Sequence, residues 1–134
     1  MKHLKKWILS LCTCIIMILS LTGCNGYHPK DVCGKYELSY VSGLPGVSVS
    51  TYDYNTIELK SSGKYILENK VYGVITSQKG TWSINKELTI IEMTTKQNST
   101  KVTEEIDYDA ETHTIEISQS LQGYQVILRF EKAN

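Results

Sequence analysis

From Gly34 to the end of the chain, apolar and polar residues alternate in short runs. Alternation with a period of two is typical of strands that bury one face. The apolar members of the clearest runs are Tyr36, Leu38 and Tyr40; Ile57 and Leu59; Tyr65 and Leu67; Trp82 and Ile84; Ile115 and Ile117; and Tyr124, Val126, Leu128 and Phe130. Since sustained helical spacing is missing after Gly34, this part of the chain is predicted to be all-β.

Short clusters of turn-forming residues separate these runs. They lie at positions 61–63, 85–86, 96–100, 109–112 and 122–123, and residues 41–50 form the longest connection. Glycine, asparagine, aspartate and serine favour turns because they accept positive φ or bond their own backbone. The pattern predicts eight or nine strands joined mainly by hairpins. A meander of this kind closes into an antiparallel up-and-down barrel, which removes its exposed edges.

A glycine followed two positions later by an aromatic residue marks three of the predicted strand starts. The three copies are Gly34-Lys35-Tyr36, Gly63-Lys64-Tyr65 and Gly80-Thr81-Trp82. A glycine permits a bend or bulge there, and an aromatic ring covers the gap that the missing side chain leaves. We interpret this motif as part of the hairpin architecture.

The N-terminus has a different character. Lys2, Lys5 and Lys6 precede an apolar stretch over residues 7–21. That stretch is short for a spanning helix, which needs about 20 apolar residues, and it suits the apolar region of a signal peptide. Residues 1–23 are therefore predicted to form a signal-peptide helix.

The stretch ends in Leu21-Thr22-Gly23-Cys24, which resembles the lipobox of bacterial lipoproteins at all four positions. The resemblance implies that cleavage precedes Cys24 and that its thiol carries a diacylglyceryl group, with palmitate among the acyl chains. It also implies an anchor on the extracytoplasmic face of the cell membrane, followed by a tether over residues 24–33 and a domain over 34–134. An uncleaved anchor or an ordinary secretory signal is the alternative, and both also export the domain.

The domain itself resembles the lipocalin-like small lipoproteins of bacteria. The resemblance rests on the Gly34 opening, the hairpin 58–65, the segment 80–90 and the closing strand 123–132. It implies a lipocalin-like barrel in which Tyr36 replaces the tryptophan of true lipocalins. Arg129 would then pack across Tyr36 as a cation–π pair that closes the barrel base.

Charge and cysteine content narrow the function. The full chain balances 14 basic and 14 acidic residues, but a cleaved chain loses Lys2, Lys5 and Lys6 and becomes mildly acidic. Nucleic acid is therefore not an expected partner, because phosphate binding needs clustered lysine and arginine. Cys33 is the one thiol left beyond Cys24, so the fold must rely on its core, and we interpret Cys33 as a small buried hydrophobe.

Three motifs carry candidate chemistry. His28-x-x-Asp31-x-Cys33 offers three metal ligands but has no second cluster to complete a zinc site. Asp107-x-Asp109-x-Glu111 resembles the start of a calcium loop, yet the positions that need glycine and glutamate are Thr112 and Ser118. His113 is expected to be a hydrogen-bonded structural residue. We therefore predict no metal, no cofactor and no enzymatic activity.

Two functions remain open. The leading hypothesis is a non-catalytic barrel that binds a small apolar ligand or an envelope component. The predicted strands are rich in tyrosine, and ligand cavities in β-barrels are lined by aromatic and aliphatic side chains. The predicted lining residues are Tyr65, Trp82, Leu128 and Phe130. The alternative is a protein-interaction module, such as an inhibitor, an immunity protein or an accessory factor, which would use loops 41–50 and 96–100.

Overall fold

A computed structural model of the chain describes residues 26–134, and the predicted signal peptide and Cys24 lie outside them. The strands are β1 (Gly34–Ser42), β2 (Tyr54–Leu59), β3 (Lys64–Val71), β4 (Val74–Ile84), β5 (Ile90–Gln97), β6 (Thr100–Asp109), β7 (Thr114–Leu121) and β8 (Tyr124–Lys132). A 3-10 turn over Val49–Thr51 lies between β1 and β2. Within residues 26–134, no helix has the length and apolar character needed to cross a membrane.

These eight strands form a closed barrel in chain order. Each strand is antiparallel to the next, and β8 returns to pair with β1. The prediction of an all-β, antiparallel, up-and-down barrel is confirmed, with eight strands where eight or nine were expected. Closure pairs the strands that would otherwise be edges, as the physical argument requires.

The connected cluster of buried apolar side chains lies in one half of the barrel, which we call the closed half. Its end carries residues 26–33 and the turns that follow β2, β4 and β6. The opposite end, the open end, carries the long loop after β1 and the turns that follow β3, β5 and β7. The buried apolar side chains of the closed half are Val32, Tyr36, Ile57, Leu59, Tyr65, Trp82, Ile84, Ile91, Met93, Ile106, Tyr108, Ile115 and Phe130.

Residues 26–33 cover the closed end instead of leaving the barrel as a free tether. Val32 is 1% exposed and belongs to the core, and its carbonyl accepts a 2.5 Å hydrogen bond from the Tyr36 hydroxyl. The Ile84 amide donates to the Tyr27 carbonyl at 3.1 Å. The tether prediction is thus corrected for this segment, since the barrel end would otherwise expose apolar side chains to water. The closed sheet and the connected core cluster both lie within residues 26–134.

Strand pairing is continuous in the closed half and interrupted in the open half. The ladders of β1 with β2, β4 with β5 and β6 with β7 cover only Gly34–Glu37, Thr81–Ile84 and Asp107–Asp109 of their first strands. The other ladders run along nearly whole strands. Towards the open end the wall therefore separates into three strand groups, β2-β3-β4, β5-β6 and β7-β8-β1.

Gly80 lies where β4 leaves β5, directly opposite Tyr65 in the β3–β4 register. A Cβ at Gly80 would lie 2.0 Å from the Thr94 carbonyl oxygen and 2.6 Å from the Tyr65 ring. Only glycine permits this approach, and the Tyr65 ring covers the backbone that it leaves bare. The aromatic cover proposed from the glycine motif is present, although the ring comes from the neighbouring strand.

A bulge in β1 changes the face to which its later residues point. The register with β8 shifts between Leu38 and Tyr40, and the Ser39 hydroxyl donates to the Arg129 carbonyl at 3.2 Å. Tyr40, which strict alternation places on the same face as Tyr36, is therefore on the outer surface and 44% exposed. One extra residue is enough for this change because the side-chain period of a strand is two.

Candidate ligand-binding site

The open half of the barrel encloses a cavity of about 270 Å³, which we call the cup. Its walls belong to all three strand groups, so the separation of the strands leaves the cup accessible from the open end. The lining residues are Ile57, Tyr65, Leu67, Gln78, Met93, Thr95, Gln97, Val102, Glu104, Ile106, Ile117 and Gln119. The cup rests on the filled core, because Ile57, Tyr65 and Ile106 are at most 5% exposed and belong to both.

The lining of the cup combines an apolar floor with a polar wall. Met93 and Ile106 supply buried apolar surface at the floor. Above them, the Gln78 amide donates to the Tyr65 hydroxyl at 2.8 Å, and Glu104 adds an exposed carboxylate. Amides both donate and accept hydrogen bonds, whereas a carboxylate only accepts them. The cup can therefore bind a molecule that has an apolar part and a hydrogen-bonding part.

The four residues predicted to line a ligand cavity occupy different parts of the barrel. Tyr65 does line the cup. Trp82 lies in the closed half, where its indole N–H donates to the Lys60 carbonyl at 2.9 Å. Phe130 is fully buried in the core, and Leu128 is packed against the core. The last three are corrected to packing residues. Trp82 and Phe130 belong to the filled core of the closed half, and Leu128, opposite Ile117 in the β7–β8 register, packs against that core.

Arg129 pairs with Tyr40 and not with Tyr36. Arg129 precedes Phe130 in β8 and therefore points to the opposite face. It lies outside the barrel, while Phe130 and Tyr36 lie inside, each 0% exposed. Its guanidinium is 4.9 Å from the Tyr40 ring centroid and 3.2 Å from the Glu116 carboxylate. The predicted Tyr36–Arg129 pair is therefore wrong, and the bulge at Ser39 explains why Tyr40 takes that place.

Two buried tyrosines lie at the closed end, away from the cup. Burial raises the pKa of Tyr36, whose ring meets that of Tyr108 edge to face at 6.5 Å between centroids. Burial also raises the pKa of Tyr108, and its hydroxyl lies 3.1 Å from Nδ1 of His113. His113 occupies the turn before β7 with a φ of +52°. These contacts fit the structural part expected for His113.

The two metal-like motifs are used in other contacts. His28 Nε2 lies 2.7 Å from the Trp82 carbonyl, and its ring packs edge-on against Trp82. Cys33 is half-buried, and partial burial raises the pKa of its thiol despite the nearby Lys132 ammonium. Asp107 and Asp109 border an outer groove together with Glu116. Across residues 26–134, no group of three or more His, Cys, Asp and Glu side chains is placed to hold a metal ion.

The polar wall of the cup was missed in the sequence. Glu104 shares the inward face of β6 with Val102 and Ile106. In the pairing of β5 with β6, Glu104 lies opposite Met93. A charged residue between two apolar residues of the same face is the signal that could have revealed it. Gln78 and Gln119 hold equivalent inward positions on β4 and β7.

Fold and cup together define an up-and-down β-barrel with one filled half and one open, mixed-polarity half. Neither a scan against protein-family models nor a search of curated proteins finds a match to the chain.

Proposed function

We propose that this protein is a bacterial lipoprotein whose barrel binds a small amphipathic ligand in the cup, without catalysis. The observation that carries the binding part is the cavity itself, which lies in the hollow half of a barrel whose other half is solid. The anchor part is supported by the complete lipobox at Leu21–Cys24, with the extracytoplasmic face of the cell membrane as the proposed location.

The fold gives the proposed anchor a defined side of the molecule. The Tyr27 carbonyl is bonded to the Ile84 amide at the closed end. Cys24 is three residues earlier, and three residues span at most roughly 10 Å. A lipidated Cys24 would thus hold the closed end near the membrane and direct the cup away from it.

The lining of the cup indicates the class of ligand. Its volume of about 270 Å³ is slightly below the usual range of small-molecule pockets, about 300–1,000 Å³. A lipid with two acyl chains is too large for this space. A smaller molecule would place its apolar part against Met93, Ile106 and Ile117 and its polar part against the glutamines and Glu104.

Binding can be tested with N-phenyl-1-naphthylamine, a fluorescent apolar amine with one N–H donor, and purified residues 26–134. We expect a saturable rise in fluorescence for the wild type. Val102→Trp fills the cup and should abolish that rise, whereas Thr103→Trp, which changes the outward-facing neighbour on the same strand, should keep it. A wild type without a saturable signal, or a Val102→Trp variant that binds as well as the wild type, would contradict the binding proposal.

The anchor can be tested separately in cells that produce the full chain. Labelled palmitate should be incorporated into the wild-type protein, and the labelled protein should sediment with membranes. Cys24→Ser should lose the label, and Cys33→Ser, the matched cysteine control, should keep it. Equal labelling of the Cys24→Ser variant would contradict the lipoprotein assignment.

A further inference from the structure

The tip of the β3–β4 hairpin exposes an unusual amount of apolar surface. Tyr72, Val74 and Ile75 are 84%, 65% and 57% exposed, more than any other large hydrophobic side chain in residues 26–134. Tyr72 lies in the two-residue turn between β3 and β4 at the open end, and Val74 and Ile75 are the first two residues of β4. We call these three residues the apolar tip.

The backbone conformation at Tyr72 is unfavourable for a tyrosine. Tyr72 and Gly73 have φ values of +50° and +80°, the arrangement of a type I′ turn, in which asparagine, aspartate or glycine is preferred at the first position. A tyrosine there is strained. Its exposed ring gains little packing in return, so the requirements of folding do not explain the tyrosine.

The other two hairpins at the open end show what folding alone would select. They have the same turn geometry, with Asn98-Ser99 and Gln122-Gly123 at the two positive-φ positions. Both turns begin with a polar residue. The apolar tip also has its own support, since the Asp53 carboxylate accepts a 3.0 Å hydrogen bond from the Gly73 amide. The tip is therefore a held, outward-directed apolar wedge.

Positive charge accompanies the tip. Lys70 lies opposite Ile75 on the same hairpin, and Lys96 lies directly opposite Lys101 at the end of the next one. Like charges opposite each other on two strands are destabilising. On the same β5–β6 hairpin, Glu92 lies opposite Glu105 nearer the closed end. Along this hairpin the basic pair therefore lies towards the open end and the acidic pair towards the closed end.

We propose that the apolar tip inserts into the surface of an anionic lipid bilayer, with Lys70, Lys96 and Lys101 against the head groups. A convex wedge of three side chains is far smaller than the roughly 800 Å² that each partner buries in a stable protein interface. A bilayer accepts such a wedge, and tyrosine suits its boundary because the ring is apolar and the hydroxyl polar. Lysines near the tip add attraction to anionic lipids.

This docking surface is separate from the cup and does not depend on ligand binding. The tip and the proposed anchor lie at opposite ends of the barrel. A molecule held upright through Cys24 therefore presents its tip to a bilayer other than its own.

The test is co-sedimentation of purified residues 26–134, which lack any acyl chain, with vesicles. We expect binding to vesicles of phosphatidylglycerol mixed with phosphatidylcholine, and much weaker binding to phosphatidylcholine alone. Tyr72→Asn should weaken binding about tenfold, which corresponds to the loss of one interfacial aromatic anchor. The same variant should keep or raise the melting temperature, because asparagine suits the turn.

The matched control is Tyr27→Asn, which removes a 49% exposed tyrosine at the closed end and should leave vesicle binding unchanged. Lys96→Gln combined with Lys101→Gln should weaken binding and reduce its dependence on salt. The proposal is overturned if the wild type binds no vesicles, if it binds both lipid compositions equally, or if Tyr72→Asn binds as well as the wild type. Fluorescence of the naphthylamine probe in the cup reports the proposed function independently of all three results.

Discussion

The closed and open halves of this barrel are made from the same strands, yet they differ in what those strands bury. On β7, Ile115 is 0% exposed in the closed half, whereas Ile117, two residues further along the same face, lines the cup. On β6, Ile106 is buried and Glu104 is exposed. Alternation therefore decides which face of the sheet a residue occupies, while the position of the residue along the barrel axis decides whether its side chain is packed or left accessible.

The largest effect should come from truncating matched isoleucines in the two halves. Ile115→Ala should lower the free energy of unfolding by about 2–5 kcal/mol, because it leaves a cavity in a close-packed core. Ile117→Ala should cost less than half as much, since the cup is already open to water. Urea unfolding of both variants measures the two values, and equal losses would show that the open half is packed like the closed one.

The second effect tests the boundary between the halves. Gly80→Ala places a methyl group 2.0 Å from the Thr94 carbonyl oxygen, so β4 or β5 must shift, at a cost of about 1–3 kcal/mol. Gly73→Ala, at the tip, meets no atom within 4 Å and should cost only the strain of its positive φ. Thermal unfolding compares the two variants, and a Gly80→Ala protein as stable as the wild type would contradict the close approach.

A smaller effect concerns alkaline pH and the closed half alone. Burial raises the pKa of Tyr36 and of Tyr108 above the usual value of 10. Below pH 10 both are protonated in either state, so their contribution to stability is complete. Above pH 10 the unfolded chain loses these protons first, and the free energy of unfolding should fall by up to about 1.4 kcal/mol per pH unit for each tyrosine.

Tyr36→Phe isolates this effect. The variant loses the bond to the Val32 carbonyl and should be less stable at neutral pH, but its stability should fall less steeply above pH 10. Urea titrations at several pH values from neutral to alkaline measure the slope. An unchanged slope would mean that ionisation of Tyr36 is not what limits alkaline stability.

Much of the fold could be predicted from local patterns. Period-two alternation predicted an all-β barrel, and the glycine motif pointed to Tyr36, Tyr65 and Trp82, which are all at most 3% exposed. Both signals are local, because side-chain direction and glycine freedom depend on neighbouring residues. They are therefore visible in a single sequence.

The candidate site could be predicted far less well, because it depends on relations between strands. The bulge at Ser39 follows from the register of β1 with β8, and it moved Tyr40 to the surface beside Arg129. The cup depends on where three ladders end, which no single strand records. The apolar tip did leave a local trace, since Val71-Tyr72-Gly73-Val74-Ile75 places apolar residues around a turn that is usually polar.

We infer that stability is concentrated in the closed half of the barrel, which leaves the open half free to bind. Native-state hydrogen exchange of residues 26–134 measures this distribution of stability, because it gives opening free energies along the chain. We predict that backbone amides protected around Ile91, Ile106 and Ile115 exchange only by global unfolding, while those around Val102 and Gln119 exchange through local opening at much lower free energy. Equal opening free energies in the two halves, all matching global unfolding, would contradict the account.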